Sequence, residues 1–274
     1  MPAPEDDVKL EYGRVAWYGV PMERLRTGTA TSRLLRRVPW RRRPSPIVIG
    51  GCARSGTTLL LSILSSHPQI AAIPVETQTL CPTAYWGDFD PLAPFQIDVL
   101  QQHLEQLDLP DSCRYWCEKT PRNILFFERI LQEFGRHARL IHVVRDGRDV
   151  VCSRHPDAPQ RFWVSPARWI ADVRAGVALD PHPQVLTVRY EDLVTRFAET
   201  IAGLSQFLNL DLVPEVMAYP EHAQVNASNA WYDKARPLDP SRINRWKADA
   251  LRGRASELVA APGATALLEY FHYL

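Results

Sequence analysis

The sequence predicts an α/β fold in a single domain, a parallel sheet flanked by helices, and three observations predict it. Short apolar, β-branched runs at Ile47-Val48-Ile49, Leu140 to Val144 and Val185 to Val188 have the length and continuity of strands buried on both faces. Stretches with helical periodicity separate them. A chain of 274 residues, 46% hydrophobic and 23% charged, is large enough to bury the core such a sheet needs. That composition excludes disorder, collagen and small disulfide scaffolds.

Taken in order, the chain opens with a segment that resists assignment to the sheet. Between Arg24 and Arg43 it carries eight arginines and no acid, closing in Arg-Arg-Val-Pro-Trp-Arg-Arg-Arg-Pro-Ser-Pro, whose prolines stop any helix begun before them. Residues 1–45 therefore read as an Arg-rich extension ahead of a domain spanning 46–274. A solvated charged face is one reading of the run, and weak contact with anionic membrane lipid or polymer the other. The first strand, Pro46 to Gly51, ends in glycines, and Thr57 to Ser66 follows as a buried helix that His67-Pro68 terminates. Pro82 to Pro94 reads as a surface insertion, with Tyr85, Trp86 and Phe89 available to line an apolar cleft. Helices are expected over Asp98 to Leu107, Asn123 to Phe134, around Trp169, and over Asp192 to Leu208, Ala248 to Ala260 and Thr265 to Tyr273.

Charge and cysteine content narrow the function classes. Thirty-two basic against thirty-one acidic residues leave a net charge of +1, so no global field recruits nucleic acid, and an anionic partner must be held locally. Five cysteines without metal-ligand spacing argue against a zinc site or a disulfide framework. Acids near the N-terminus, where a signal peptide needs basic residues, together with the lack of a long apolar run, lead to the expectation of a cytoplasmic protein.

Gly51-Cys52-Ala53-Arg54-Ser55-Gly56-Thr57-Thr58 has the glycine spacing of a phosphate loop, set between a strand and a helix. The fold is thus P-loop-like. Nucleotide triphosphatases place lysine after the second glycine, and here Thr57 stands there, which disfavours ATP hydrolysis. The cation sits inside the loop as Arg54, whose guanidinium suits a phosphate or sulfate oxygen. At the carboxyl edge of the Leu140 strand comes Arg145-Asp146-Gly147-Arg148-Asp149-Val150-Val151-Cys152-Ser153, where Asp149 is expected to cap the following helix. Asp146 and Arg148 read as partners in local hydrogen bonds or an ion pair, and Arg145 with Ser153 suits a second anion. Two anion sites on neighbouring strands imply a ligand phosphorylated at both ends.

These residues resemble the sulfotransferases that use 3′-phosphoadenosine 5′-phosphosulfate (PAPS), most closely the tyrosylprotein sulfotransferases, over most of Ile47 to Trp246. The glycine loop is similar to the family's 5′-phosphosulfate loop, RDGRDVVCS to its 3′-phosphate motif, and VRYEDLV to the strand end whose tyrosine contacts the nucleotide. Two departures stand out: Ala53 occupies the loop's usual proline position, and the family's further arginine beyond the serine has only Arg154, His155, Pro156 and Asp157 to supply it. The resemblance implies cofactor binding by Arg54, Ser55, Gly56, Thr57, Thr58, Arg145, Ser153, Tyr190 and Arg236, the last where relatives have lysine. It implies Glu76 as general base and Arg54 with Lys119 as charge stabilisers, with no metal required and 3′,5′-adenosine bisphosphate (PAP) as product. Ser228 corresponds to a serine near the reacting group. Bland alternatives stand beside each: a helix cap or ion pair for Glu76, a solvated lysine for Lys119, a packing ring for Tyr190, a loop hydroxyl for Ser228. Glu118, His67 and His155 are reserve bases, and His142, inside a strand, reads as structural.

The implied reaction is in-line sulfuryl transfer to an acceptor hydroxyl on a peptide tyrosine, glycan, lipid or secondary metabolite. A biosynthetic product or short peptide best suits a cytoplasmic setting. The alternative is a P-loop nucleotide or small-molecule kinase, which needs magnesium and the lysine this loop lacks.

Overall fold

The computed structural model describes residues 44–84, 89–107, 109–155, 158–213, 215–225 and 235–274. The chain separates by contacts after Arg37, and all described residues lie within Val38–Leu274. The Arg-rich segment as far as Arg43, Tyr85 and Trp86 of the insertion, Pro156, Asp157 and Ser228 lie outside the described residues.

Strand β1 (Ser45–Gly51) leads into helix α1 (Thr57–Leu64), then β2 (Ile70–Ala72), α2 (Ile97–Glu105) and β3 (Tyr115–Lys119). A 3-10 segment, Pro121–Phe126, runs into α3 (Phe127–Phe134), followed by β4 (Arg139–Val144), the short α4 (Gly147–Val151) and α5 (Pro166–Val177). Strand β5 (Val185–Arg189) passes directly into α6 (Tyr190–Thr195) and α7 (Phe197–Leu208). After α8 (Tyr219–His222), the chain ends in α9 (Asp249–Ala260) and α10 (Ala264–Tyr270). The five strands form one sheet in the order β2-β3-β1-β4-β5, and every pairing is parallel.

The order puts β1 at the centre, and its residues Pro46 to Gly51 are all buried. Its glycine end is forced by packing, since a Cβ on Gly51 would lie 2.2 Å from the Val143 carbonyl oxygen of β4. Helix α1 buries Leu60, Ile63 and Leu64 with Ile201, Leu204 and Leu208 of α7 in one apolar cluster. Trp169 and Val173 of α5 cluster with Leu258 of α9 and Leu268 of α10, and Trp116, Phe127, Ile130 and Leu140 form a third cluster. The parallel sheet flanked by helices is as expected.

Several boundaries differ from the sequence reading. Strands β2 and β3 were not expected: β2 has only three residues, and β3 reads Tyr-Trp-Cys-Glu-Lys, yet Glu118 and Lys119 are both fully buried. The stretch expected as one helix from Asp192 is two, because Arg196 leaves helical geometry at φ −128°, ψ 46°. The Asn123 helix begins as a 3-10 turn whose Pro121 needs no N–H donor in its first turn. Asp149 does not cap α4. Asp146 does, its carboxylate accepting the Arg148 N–H at 2.9 Å, because the helix starts at Gly147, three residues earlier than a cap at Asp149 would require.

Candidate active site

The loop between β1 and α1 brings the first group of expected residues together. Gly56 precedes α1 at φ +97° with no side-chain cap, so the helix's first N–H groups keep the partial positive charge of an unpaired N-terminus. Arg54 also lies in the left-handed region at φ +70°, a conformation sparsely populated outside glycine. Ser55 is fully buried, and its Oγ has no hydrogen-bond partner among the described residues.

On the β3 side of the loop, Lys119 Nζ donates to Glu76 Oε1 at 2.5 Å and to Thr58 Oγ1 at 3.0 Å. Lys119 is fully buried, whereas the Glu76 side chain retains 15% exposure. A buried ammonium without a counter-charge is strongly disfavoured, so this pair fixes both partners at the start of α1. Glu76, Lys119 and Thr58, separated by up to 61 positions, thus form one contiguous group. Glu118, a reserve base, points elsewhere: its carboxylate accepts hydrogen bonds from Thr77, Thr120 and Asn123.

On the β4 side, Arg145 lies with its guanidinium carbon 4.4 Å from the centre of the Tyr190 ring. Its Nη1 donates to the Arg54 carbonyl oxygen at 3.2 Å and its Nη2 to that of Arg242 at 2.5 Å, while Nε is buried without a partner among the described residues. The Trp169 indole N–H donates to the Arg145 carbonyl oxygen at 3.3 Å, tying α5 to the end of β4. Tyr190 also closes on the loop, since a Cβ on Gly56 would lie 2.5 Å from the Tyr190 ring. Ser153 lies two residues beyond the end of α4, with its hydroxyl donating to the Asp149 carbonyl oxygen at 3.0 Å. Asp146 and Arg148 form an ion pair at 2.8 Å, as the bland reading holds.

Two further arginines join this group without having been singled out from the sequence. Partial withdrawal from water, and then the like charges of Arg145, Arg242 and Arg245, lower the pKa of Arg54. Arg242 and Arg245 sit on a strap after Asp239 that Asp149 pins down: its Oδ2 accepts the Asn244 N–H at 2.8 Å and its Oδ1 the Trp246 N–H at 3.0 Å. Arg236, expected to face a phosphate, is exposed, and its carbonyl oxygen accepts the Tyr219 hydroxyl. The strap contains the run Ile243 to Lys247 with its tryptophan, and Arg242 lies just ahead of that run.

Fold and site together define a phosphate-loop α/β protein with threonine at the loop's lysine position and an arginine inside the loop, a lysine–carboxylate pair at one flank and clustered arginines at the other. The sulfotransferase family model matches residues 46–215, well over half of the chain, and the chain belongs to the sulfotransferase family. Among solved structures, the sulfotransferase domain of the Synechococcus PCC 7002 olefin synthase superposes with a TM-score of 0.54 at 18% identity, covering 85% of this chain and 95% of that one. The sulfotransferase domain from the curacin biosynthetic pathway gives 0.53 at 19%, over 80% and 99% of the two chains. Mouse sulfotransferase SULT7A1, crystallised with PAP, gives 0.51 at 14%, over 85% and 90%. At these identities the likeness is one of fold. No curated protein matches the sequence. Among the described residues no helix is long and apolar enough to cross a membrane.

Proposed function

We propose that the protein transfers a sulfuryl group from PAPS to an acceptor hydroxyl, with Glu76 as general base and Lys119 and Arg54 gathering charge at the transferred group. The observation that carries this reading is a pair of buried polar atoms without partners among the described residues, Ser55 Oγ within the phosphate loop and Arg145 Nε beside it. Buried polar groups without partners are rare and costly, and an anion with a phosphate at each end would satisfy both. PAPS is such an anion, and its phosphosulfate supplies an activated sulfuryl group with a good leaving phosphate.

The residues present fit it. Ser55, Gly56, Thr57 and Thr58 would bind the 5′ end at the N-terminus of α1. Arg145 and Ser153, with Arg242 and Arg245 of the strap, would bind the 3′ phosphate, and Tyr190 would pack against the nucleotide between them. Arg236, which is exposed, would supply a further cation to the phosphate. Lys119 touches both Thr58 and Glu76, so one cation stands between the anion-binding helix start and the base. It would hold Glu76 in place to take the acceptor's proton while stabilising negative charge on the leaving oxygen. The threonine after Gly56 does not favour the kinase alternative. The acceptor class is a hydroxyl on a peptide, glycan, lipid or biosynthetic product, and the proposed setting is cytoplasmic.

Titration calorimetry without magnesium tests the donor. PAP is expected to bind more tightly than ADP or ATP, because only it carries phosphates at both ends of the nucleoside. Tighter, magnesium-dependent binding of ATP, or no binding of PAP, would reject the proposal.

A further inference from the structure

Glu118 is fully buried on β3, one residue before Lys119, and takes no part in the chemistry proposed above. A carboxylate withdrawn from water requires donors, and four converge on this one. Thr77 donates its N–H at 3.3 Å and its hydroxyl at 2.9 Å to Oε1. The Thr120 hydroxyl reaches the same oxygen at 2.6 Å, and Asn123 Nδ2 donates to Oε2 at 2.5 Å. A second set of bonds braces the same corner: the Gln78 N–H donates to Thr120 Oγ1 at 3.2 Å, and Asn123 Nδ2 lies 3.4 Å from the Ile49 carbonyl oxygen, just ahead of the phosphate loop. Burial pushes the Glu118 carboxyl up from its ordinary value, while the bonds from Thr120, Asn123 and Thr77 pull it down.

The arrangement is paired. Adjacent residues of β3, Glu118 and Lys119, hold adjacent residues of the turn, Thr77 and Glu76. Every group hydrogen-bonded to Glu118 donates, so both carboxylate oxygens act as acceptors, and an amide would turn an N–H₂ group toward at least one donor. A carboxylate so fully engaged is also poorly placed to accept a substrate proton, which removes it from the candidate bases.

We propose that Glu118 is a positioning residue: its carboxylate fastens the turn carrying Glu76 to the end of β3 and so keeps Glu76 on Lys119 beside the loop. The inference rests on the reading of Glu76 as base, but its test needs no acceptor. The chain has four lysines, Lys9, Lys119, Lys234 and Lys247, so acetylation by acetic anhydride can be followed at each by mass spectrometry. Lys119, with a side chain 1% exposed, is expected to react far more slowly than Lys247.

Glu118→Gln and Thr77→Val should each speed Lys119 acetylation at least tenfold relative to Lys247, in protein shown to be folded by its melting midpoint. Thr77→Ser, which keeps the hydroxyl, should remain near wild type. Since Glu118 acts through Glu76, the double variant Glu76→Gln/Glu118→Gln should react no faster than Glu76→Gln alone. Unchanged protection of Lys119 in Glu118→Gln and Thr77→Val, or additive effects in the double variant, would overturn the proposal. If Glu118→Gln does not fold, the two Thr77 variants decide alone. Failure of wild-type protein to bind PAP would reject the sulfotransfer reading, and the lysine protection would still report on the turn.

Discussion

Glu76 and Lys119 show how a single contact sets what a residue can do. The carboxylate is held at 2.5 Å by a cation that has no exposure of its own, so its orientation is fixed before any ligand arrives, which is the geometric requirement for a general base. Glu76→Gln keeps an oxygen for Lys119 to donate to but removes proton affinity. It is expected to lower the rate of PAPS-dependent sulfation roughly 10²- to 10⁴-fold, the range of a lost general base, while PAP binding by calorimetry stays close to wild type. Turnover equal to wild type would remove Glu76 from the reaction. Arg54 and Arg145 were readable as anion ligands because their neighbours in sequence, the glycine loop and the strand end, carry the signal. Lys119 and Glu76 came only through family resemblance, since 43 positions separate them and no local pattern announces that they meet.

Among the elements, the strap from Asp239 to Lys247 combines apolar packing of Ile243 and Trp246 with a few polar anchors. Asp149 accepts two of its backbone N–H groups, and Arg145 donates to the Arg242 carbonyl oxygen. The like charges of Arg145, Arg242 and Arg245 act on Arg54 here, with Asp239 paired to Arg242 at 3.0 Å and Asp149 to Arg145 at 3.5 Å as the local counter-charges. Asp149→Asn exchanges one accepting oxygen for a donor that faces an N–H. A charge-assisted bond of this kind contributes about 1.5–3 kcal/mol, so PAP affinity should fall roughly tenfold or more. Trypsin cleavage after Arg242 and Arg245 should also quicken and be slowed less by PAP than in wild type. Unaltered affinity and cleavage would mean that the strap is held without Asp149. The strap and β3 were the elements hardest to read for a common reason. Their charged residues look like surface in a local window, and only partners distant in sequence, Glu76 and Thr77 for β3 and Asp149 for the strap, make burial or docking favourable. Strands β1, β4 and β5, whose side chains alone justify burial, were legible with bounds shifted by one or two residues.

At the scale of the whole molecule, a buried histidine on β4 joins the sheet to the helices around it. His142 of β4 is fully buried, 3.3 Å from the Thr187 hydroxyl of β5, and its ring fills the space above Gly176 of α5, where a Cβ would lie 2.2 Å away. Thr187 in turn donates to Asp180, which also accepts the Tyr270 hydroxyl at 2.7 Å, so strand, loop and C-terminal helix meet at this point. Burial lowers the His142 pKa to about 4, outweighing the upward pull of Asp180. In the unfolded chain the imidazole titrates near its ordinary value of about 6.5. Between these values the unfolded state binds a proton that the folded state refuses, so stability falls as pH drops from about 6.5 to about 4 and is fully retained above that window. The difference corresponds to roughly 3 kcal/mol. Buried carboxyls with raised values, Glu118, Asp172 and Glu191, act in the opposite sense, gaining stability on acidification through their own windows, and a raw melting profile therefore mixes the two. His142→Gln isolates the imidazole, because glutamine is neutral throughout. The stability difference between wild type and variant, from denaturant titrations at pH 7 and pH 4, should shift by roughly 3 kcal/mol in the variant's favour on acidification. Parallel pH profiles would mean that His142 takes up its proton equally in the folded and unfolded chains, so that Asp180 offsets burial.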